Sequence, residues 1–199
     1  MRIIGITGGV GAGKSKILHF IADTFAAAVV EADQVGYLVM QPGAEAFDPI
    51  VELFGKEILT GDGRLDREEI SRRVFRDREL LERLNAIVHP AVKAYIRRAM
   101  EKERQAGTPF FIVEAALLLE DKYDEICDEL WYIYADEETR IQRLMKNRGY
   151  TEEKSRRIIA NQLGREEFES RCDVKIDNSG EFEATKEQIL QRMRIYETM

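Results

Sequence analysis

Apolar positions change their period several times along this chain, and each change marks an element. Ile3, Ile4 and Ile6 lie in a short apolar run, the pattern of a strand buried on both faces. A glycine-rich stretch follows, after which Leu18, Ile21, Ala22 and Phe25 recur at helical spacing. Residues 26–30 are again apolar and predict a second strand, with the acids Glu31 and Asp33 at its C-terminal end. From about Gln34 to Gln105 the chain is rich in helix formers and arginine. Breaks are predicted at Pro42-Gly43, Gly61-Asp62-Gly63 and Pro90, and Leu80, Leu81, Leu84, Ile87 and Val88 give one helix an apolar face.

The strand pattern then returns. Residues 110–113 are uninterruptedly apolar and end in Glu114; residues 130–135 form another such run. Asp136 is placed to cap the following helix, with Glu137 and Glu138 in its first turn. Residues 140–171 read as helical with breaks near Gly149 and Gly164, and 174–176 as a short last strand. Phe182, Ile189, Met193 and Tyr196 stripe a terminal helix. Strands alternating with helices predict an α/β fold with a parallel five-stranded sheet flanked by helices, interrupted by an all-helical insertion. Ligands of such sheets bind at the carboxyl ends of the strands, where the glycine run, Asp33 and Glu114 all fall.

Composition narrows the partners. With 199 residues, 44% of them hydrophobic and 34% charged, the chain is an ordinary globular protein. A net charge of −7 argues against a general nucleic-acid or anionic-membrane binder, so any anion must be held by a local basic cluster. No apolar run approaches a membrane span, and the chain starts directly on a strand, so a cytoplasmic protein without a leader is expected. Cys127 and Cys172 are too few for a disulfide framework, lack metal-ligand spacing and predict buried thiols.

The chemistry concentrates in the first loop. Gly8, Gly13, Lys14 and Ser15 fit G-x-x-x-x-G-K-[ST], in which glycines turn backbone N–H groups toward phosphate oxygens and a helix adds its positive end. Lys14 can then follow the β/γ phosphates, and Ser15 can hold Mg²⁺. Two readings stand for Asp33: a carboxylate that orients or deprotonates an acceptor hydroxyl, and a helix N-cap. Two also stand for Glu114: a Walker-B-type acid holding Mg²⁺, and a carboxylate satisfied by a helix N-terminus. Arg140, Arg143, Lys146 and Arg148 crowd one helix, either as a solvated face or as cations that close over ATP and offset transition-state charge. His89 precedes Pro90, where a histidine more often shapes a turn than acts chemically. It has no second ligand at metal spacing, which excludes zinc, and His19 reads as structural.

Several further segments, in order, carry a resemblance. They are Gly5-Ile6-Thr7-Gly8-Gly9-Val10-Gly11-Ala12-Gly13-Lys14-Ser15, Glu31-Ala32-Asp33, Gln41-Pro42-Gly43, Phe54-Gly55 and Leu65-Asp66-Arg67. Then come Leu84-Asn85, Val88-His89-Pro90, Ala116-Leu117-Leu118-Leu119-Glu120, Gln162 and the segment from Cys172 to Gly180. Over nearly its whole length the chain resembles the dephospho-CoA kinase family. The resemblance implies a kinase that uses Mg-ATP to phosphorylate the ribose 3′-hydroxyl of dephospho-CoA. It implies a nucleotide-binding core (1–33, 106–136 and 172–199), a helical acceptor-binding insertion (34–105) and a lid (137–171).

On that reading ATP meets Gly8, Gly9, Gly11, Ala12, Gly13, Lys14, Ser15 and Lys16, with Asn178 and Gly180 near the adenine and Arg140 and Arg148 from the lid. Asp33, Lys14 and Arg143 are the catalytic candidates. Asp33, His89 and Leu117 face the acceptor, and Ser15 and Glu114 the metal. Leu38, Phe47, Leu53, Phe54 and Phe75 can offer the insertion an apolar surface for pantetheine. Small-molecule substrates and a monomer are expected. Departures from the family pattern are Glu31 for an aspartate, Lys16 for a small or hydroxyl residue, Ala116 for a proline, and Asn147-Arg148 for an arginine followed by a polar residue. Rival readings are a kinase for another small acceptor, a GTPase-type switch and a non-enzymatic binding module. The switch lacks the Asn-Lys-x-Asp segment it needs.

Overall fold

The computed structural model describes residues 1–197. It divides into two compact units, one made of Met1–Val29 with the chain from Gly107 onward, the other of Val30–Ala106. Five strands form one sheet: β1 (Arg2–Thr7), β2 (Ala27–Glu31), β3 (Phe110–Glu114), β4 (Glu129–Tyr134) and β5 (Val174–Asp177), in the order β2-β3-β1-β4-β5. The β1–β3, β1–β4 and β4–β5 ladders are parallel. The central strands are buried on both faces, which is why they read as continuous apolar runs.

In this first unit Ile4, Ile6, Ile112, Trp131 and Ile133 share a core with Ile17 and Ile21 of helix α1 (Lys14–Thr24). Ile189 and Met193 join it from the terminal helix, whose apolar stripe is plain in the sequence. Trp131 is fully buried, and its indole N–H donates to Glu129, which Arg192 neutralises. The polar end of the largest core side chain is thereby satisfied.

The Val30–Ala106 unit is helical: α2 (Ala32–Val39), α3 (Phe47–Phe54), α4 (Arg67–Arg76) and α5 (Arg78–Gln105). The first three pack on α5. Asp66 caps α4 by accepting from Glu69 N–H at 3.0 Å, and Asp77 caps α5 through Leu80 N–H at 3.0 Å. Two expectations fail here. Pro90 does not end a helix; α5 runs through it for 28 residues. An interior proline costs about 3 kcal/mol of helix stability. Burial of Ala91, Val92, Ile96 and Met100 just beyond it outweighs that cost, and the most buried face of α5 therefore lies past the proline, not at Leu80–Val88. The second strand also stops at Glu31, so Asp33 stands in the first turn of α2 instead of on a strand tip. A carboxylate there is favoured by the helix dipole.

Helices α6 (Glu137–Arg148), α7 (Glu152–Ala160), α8 (Arg165–Arg171) and α9 (Phe182–Glu197) complete the chain. The breaks at Gly149 and Gly164 fall where predicted; Gly149 takes φ +64° as a left-handed C-cap. Cys127 and Cys172 are unpaired and half-buried, and burial pushes their thiols up to about 12 and about 11. They are inert thiols at neutral pH. Among the described residues no helix is long and apolar enough to cross a membrane.

Candidate active site

The loop after β1 follows from local sterics. Gly8, Gly11 and Gly13 have φ of +149°, +80° and +88°, angles that L side chains rarely adopt. A Cβ on Gly8 would collide with the Ile133 carbonyl oxygen, and one on Gly13 with the Asn178 amide. Glycine is required twice over at both positions. Behind Gly13, α1 begins with no side-chain cap and no acidic residue in its first turn. In the same unit α6 and α7 are capped, by Asp136 and Thr151. The N-terminus of α1 thus keeps open donors and a positive dipole end, the condition for binding an anion.

Lys14, the first residue of α1, turns its side chain back onto this loop. Its ammonium donates to the Gly8 carbonyl at 2.8 Å and stands 3.4 Å from the Glu114 carboxylate. The sheet brings the pair together, because Ile6 of β1 pairs with Glu114 of β3. Glu114 is buried, so its charge needs the lysine. Lys14 is one partner that satisfies it. Ser15, the next residue, is exposed.

The outer side of the loop is gripped by side chains distant in sequence. Arg140 donates from Nε to the Val10 carbonyl at 2.8 Å and from Nη2 to Gln162 Oε1 at 2.7 Å; the same Gln162 oxygen accepts from Val10 N–H at 2.9 Å. Both backbone polar groups of Val10 are therefore tied to α6 and to the turn after α7. The Arg140 guanidinium lies against Gly9, where a Cβ would strike it. Burial lowers its pKa below the ordinary arginine value. Arg143 donates to the carbonyls of Ala12 at 3.3 Å and Asn178 at 2.8 Å. Asn178 is buried; its amide donates to the Ala12 carbonyl at 2.7 Å and accepts from Thr185 at 3.0 Å.

The remaining candidates are less tightly held. Lys16 places its ammonium 3.9 Å from the centre of the Phe182 ring, so its side chain packs as a cation on an aromatic face. Arg148 is exposed at the end of α6, and a Cβ on Gly180 would meet only open space. Leu117 is 52% exposed in the turn after β3. His89 lies inside α5 and not at a turn, since the helix continues through Pro90. Asp33 is exposed in α2, and Glu31 accepts from Gln34 at 2.6 Å. Among the described residues no cluster of three or more acidic, histidine or cysteine side chains forms a ready-made metal cage. In the sequence Gln162 is one residue of a motif; its role as the junction between loop, α6 and α7 has no local signal, because Val10 is 152 residues away.

A polyphosphate cradle of this kind, set at the carboxyl edge of a parallel sheet with its lysine held by a buried acid, defines the P-loop kinase class. Comparison with known proteins narrows the class. Residues 2–184 match the family model for dephospho-CoA kinase. A dephospho-CoA kinase of Carboxydothermus hydrogenoformans is 37% identical over 96% of this chain and 92% of its own length. A solved structure from Thermus thermophilus superposes with a TM-score of 0.81 at 29% identity, covering 98% of this chain and 96% of that one. The dephospho-CoA kinase from Campylobacter jejuni, at 20% identity, shares the fold with a TM-score of 0.72, covering 98% and 96% of the two chains. The chain belongs to the dephospho-CoA kinase family.

Proposed function

We propose that this chain transfers the γ-phosphoryl group of ATP to the ribose 3′-hydroxyl of dephospho-CoA, giving coenzyme A and ADP, the last step of coenzyme A biosynthesis. The observation that carries the reading is the open N-terminus of α1 behind Gly13, with Lys14 poised between the Gly8 carbonyl and Glu114. An arriving triphosphate offers Lys14 stronger acceptors than a peptide carbonyl, so the ammonium turns from Gly8 toward the β/γ oxygens. Ser15 and Glu114 present hard oxygen donors suited to Mg²⁺, which takes few protein ligands and completes its shell with phosphate and water. When bound there it would offset phosphate charge. Asp33 orients or deprotonates the acceptor hydroxyl, supported by its place just beyond the end of β2.

Residues 34–105 then serve as the acceptor-binding insertion and 137–171 as the lid, in a monomeric cytoplasmic enzyme. Arg143 and Asn178 support the loop from the side where Gly180 and the adenine would meet. ADP release measured with dephospho-CoA, AMP, CMP and shikimate tests the assignment: turnover is expected with dephospho-CoA, and none with it would overturn the reading. Asp33→Asn should lower kcat by about 10²-fold or more while both substrates still bind. An unchanged kcat would remove Asp33 from the chemistry.

A further inference from the structure

The amino edge of the sheet, which phosphoryl transfer does not use, carries a cleft of its own. It measures about 490 Å³ and is lined by Met1, Arg2, Pro109, Phe110, Asp128 and Tyr196. Small-molecule sites commonly enclose roughly 300–1,000 Å³. All six residues belong to the first unit. Arg2 opens β1 and Thr7 closes it, so the cleft lies about 16 Å along the strand from the start of the phosphate loop, at a rise of about 3.3 Å per residue.

Here the backbone is fully engaged while one side chain is not. Arg2 N–H donates to the Pro109 carbonyl at 2.8 Å. Ile3 N–H donates to Asp128 Oδ2 at 2.7 Å, and Asp128 N–H returns a bond to the Ile3 carbonyl at 2.8 Å. The Arg2 guanidinium carbon rests 4.7 Å from the centre of the Tyr196 ring. Its Nε is buried and has no hydrogen-bond partner, and no carboxylate pairs with it among the described residues. Glu129, the buried acid whose charge Arg2 feels, is already held by Trp131 and Arg192. Stacking on Tyr196 explains where the guanidinium rests but satisfies none of its N–H groups. A buried donor without a partner is costly and uncommon in folded proteins, so this one calls for a reason.

We infer that this cleft binds a small monocarboxylate with an apolar body, its two oxygens taken by the Nε–Nη edge of Arg2. A guanidinium edge and a carboxylate match in plane and in spacing, two parallel bonds for two oxygens. Rotation of the side chain off Tyr196 turns the idle Nε into the cleft, so binding both satisfies that donor and adds a charge-assisted pair. Pro109, Phe110 and the freed face of Tyr196 then meet the apolar body. Asp128 sets the charge: one arginine offsets one negative charge, and a carboxylate on the same wall repels a second, which disfavours a phosphate dianion. The site goes beyond the proposed reaction and does not depend on which acceptor the chain phosphorylates.

The full chain is titrated with benzoate, phenyl phosphate, benzyl alcohol and acetate while the Arg2 Nε–H resonance is followed in proton–nitrogen spectra. Loss of that signal in Arg2→Lys identifies it. Benzoate should bind saturably and move the resonance. The other three, which lack the single charge or the apolar body, should bind about tenfold more weakly or worse. Arg2→Met should weaken benzoate about tenfold or more, and Arg2→Lys less, since lysine keeps the charge but not the fork. Without any probe, Arg2→Met should melt no lower than the parent, because it removes an unpaired buried donor and keeps an unbranched chain over Tyr196. Its KM for ATP should not move. No saturable shift at Arg2 in the parent overturns the site, as does benzoate binding the Met variant equally well or phenyl phosphate binding as tightly as benzoate. An Arg2→Met protein that melts well below the parent would make Arg2 a structural counter-charge and overturn it too.

Discussion

Beneath the phosphate loop, Arg140, Arg143, Gln162 and Asn178 already direct their polar atoms to the loop backbone. In the helical unit the corresponding side chains stand open. Arg67 has an aromatic ring but no carboxylate, Phe75 is 90% exposed, and Leu38 is 45% exposed. If the helical unit receives the acceptor, as proposed, the two units prepare for their ligands in opposite ways. A triphosphate needs donors held at fixed positions, because electrostatic stabilisation works only when no reorganisation is required at the moment of reaction. A long, flexible acceptor tolerates, and uses, a surface that forms its contacts on arrival. The cations that the sequence suggests would close over ATP include two, Arg140 and Arg143, that here act as struts of the cradle.

The sharpest way to break this comparison is to remove the junction of the cradle. Gln162→Leu leaves Val10 N–H and one Arg140 N–H without their acceptor. Leaving a buried donor unpaired costs about 1–3 kcal/mol, and these donors are partly buried, so the KM for ATP should rise by several-fold up to about tenfold. The KM for dephospho-CoA should change far less. Gln162→Glu keeps an oxygen at the same place and should restore most of the ATP affinity, a rescue that a merely packed side chain would not show. If both KM values rise together, or ATP binding is unaffected, the cradle does not depend on its outer supports and the contrast between the units disappears.

A smaller effect is expected at the start of α6, the helix that carries both struts. Asp136 accepts from Thr139 N–H and from its hydroxyl, each at 2.8 Å. Asp136→Ala should cost about 1 kcal/mol of stability, the usual value for a lost N-cap. Those hydrogen bonds, the Thr139 N–H first, hold the Asp136 carboxyl below its ordinary 3.8. Its folded pKa is therefore lower than its unfolded one. The stabilisation is complete above pH 3.8 and is lost as pH falls through the folded value. Melting curves of parent and variant should differ at pH 7 and converge on acidification below that point. A gap that persists in acid would mean that the side chain acts by packing.

These features differ in how far the sequence reveals them, for physical reasons. Buried parallel strands are apolar at nearly every position, so the apolar run from Phe110 to Val113 is readable from composition, and the loop before Lys14 from its spacing. The cap at Asp136 is readable because capping is local. Pro90 misleads because its penalty is local while the packing of Val92 and Ile96 that overrides it is not. Asp33 falls one element late because a strand end and a helix start share acidic preferences. Phe54, Leu38 and Phe75 all read as apolar surface for the pantetheine arm, yet Phe54 is 6% exposed and belongs to the core. Gln162 to Val10 and Arg67 to Tyr37 are pairings across folded space, and no periodicity encodes them.

Phe75 supplies the mildest and most discriminating measurement. On α4, Ile70 and Val74 are four residues apart and share the face turned inward, with Ile70 buried and Val74 partly so. Phe75 follows Val74 and is rotated about 100° from that face, which the helical pitch alone requires. Its ring is thus presented to water at 90% exposure, and truncating it removes almost no packing. Phe75→Ala should change stability by no more than about 0.5 kcal/mol, as for other exposed positions. If the open apolar surface of this unit receives the pantetheine arm, the same variant should raise the KM for dephospho-CoA by a few-fold and leave that for ATP alone. A truncated acceptor lacking the arm should then show no difference between parent and variant. A clear loss of melting temperature would instead make Phe75 part of a packed core, and the helical unit would prove no more open than the nucleotide cradle.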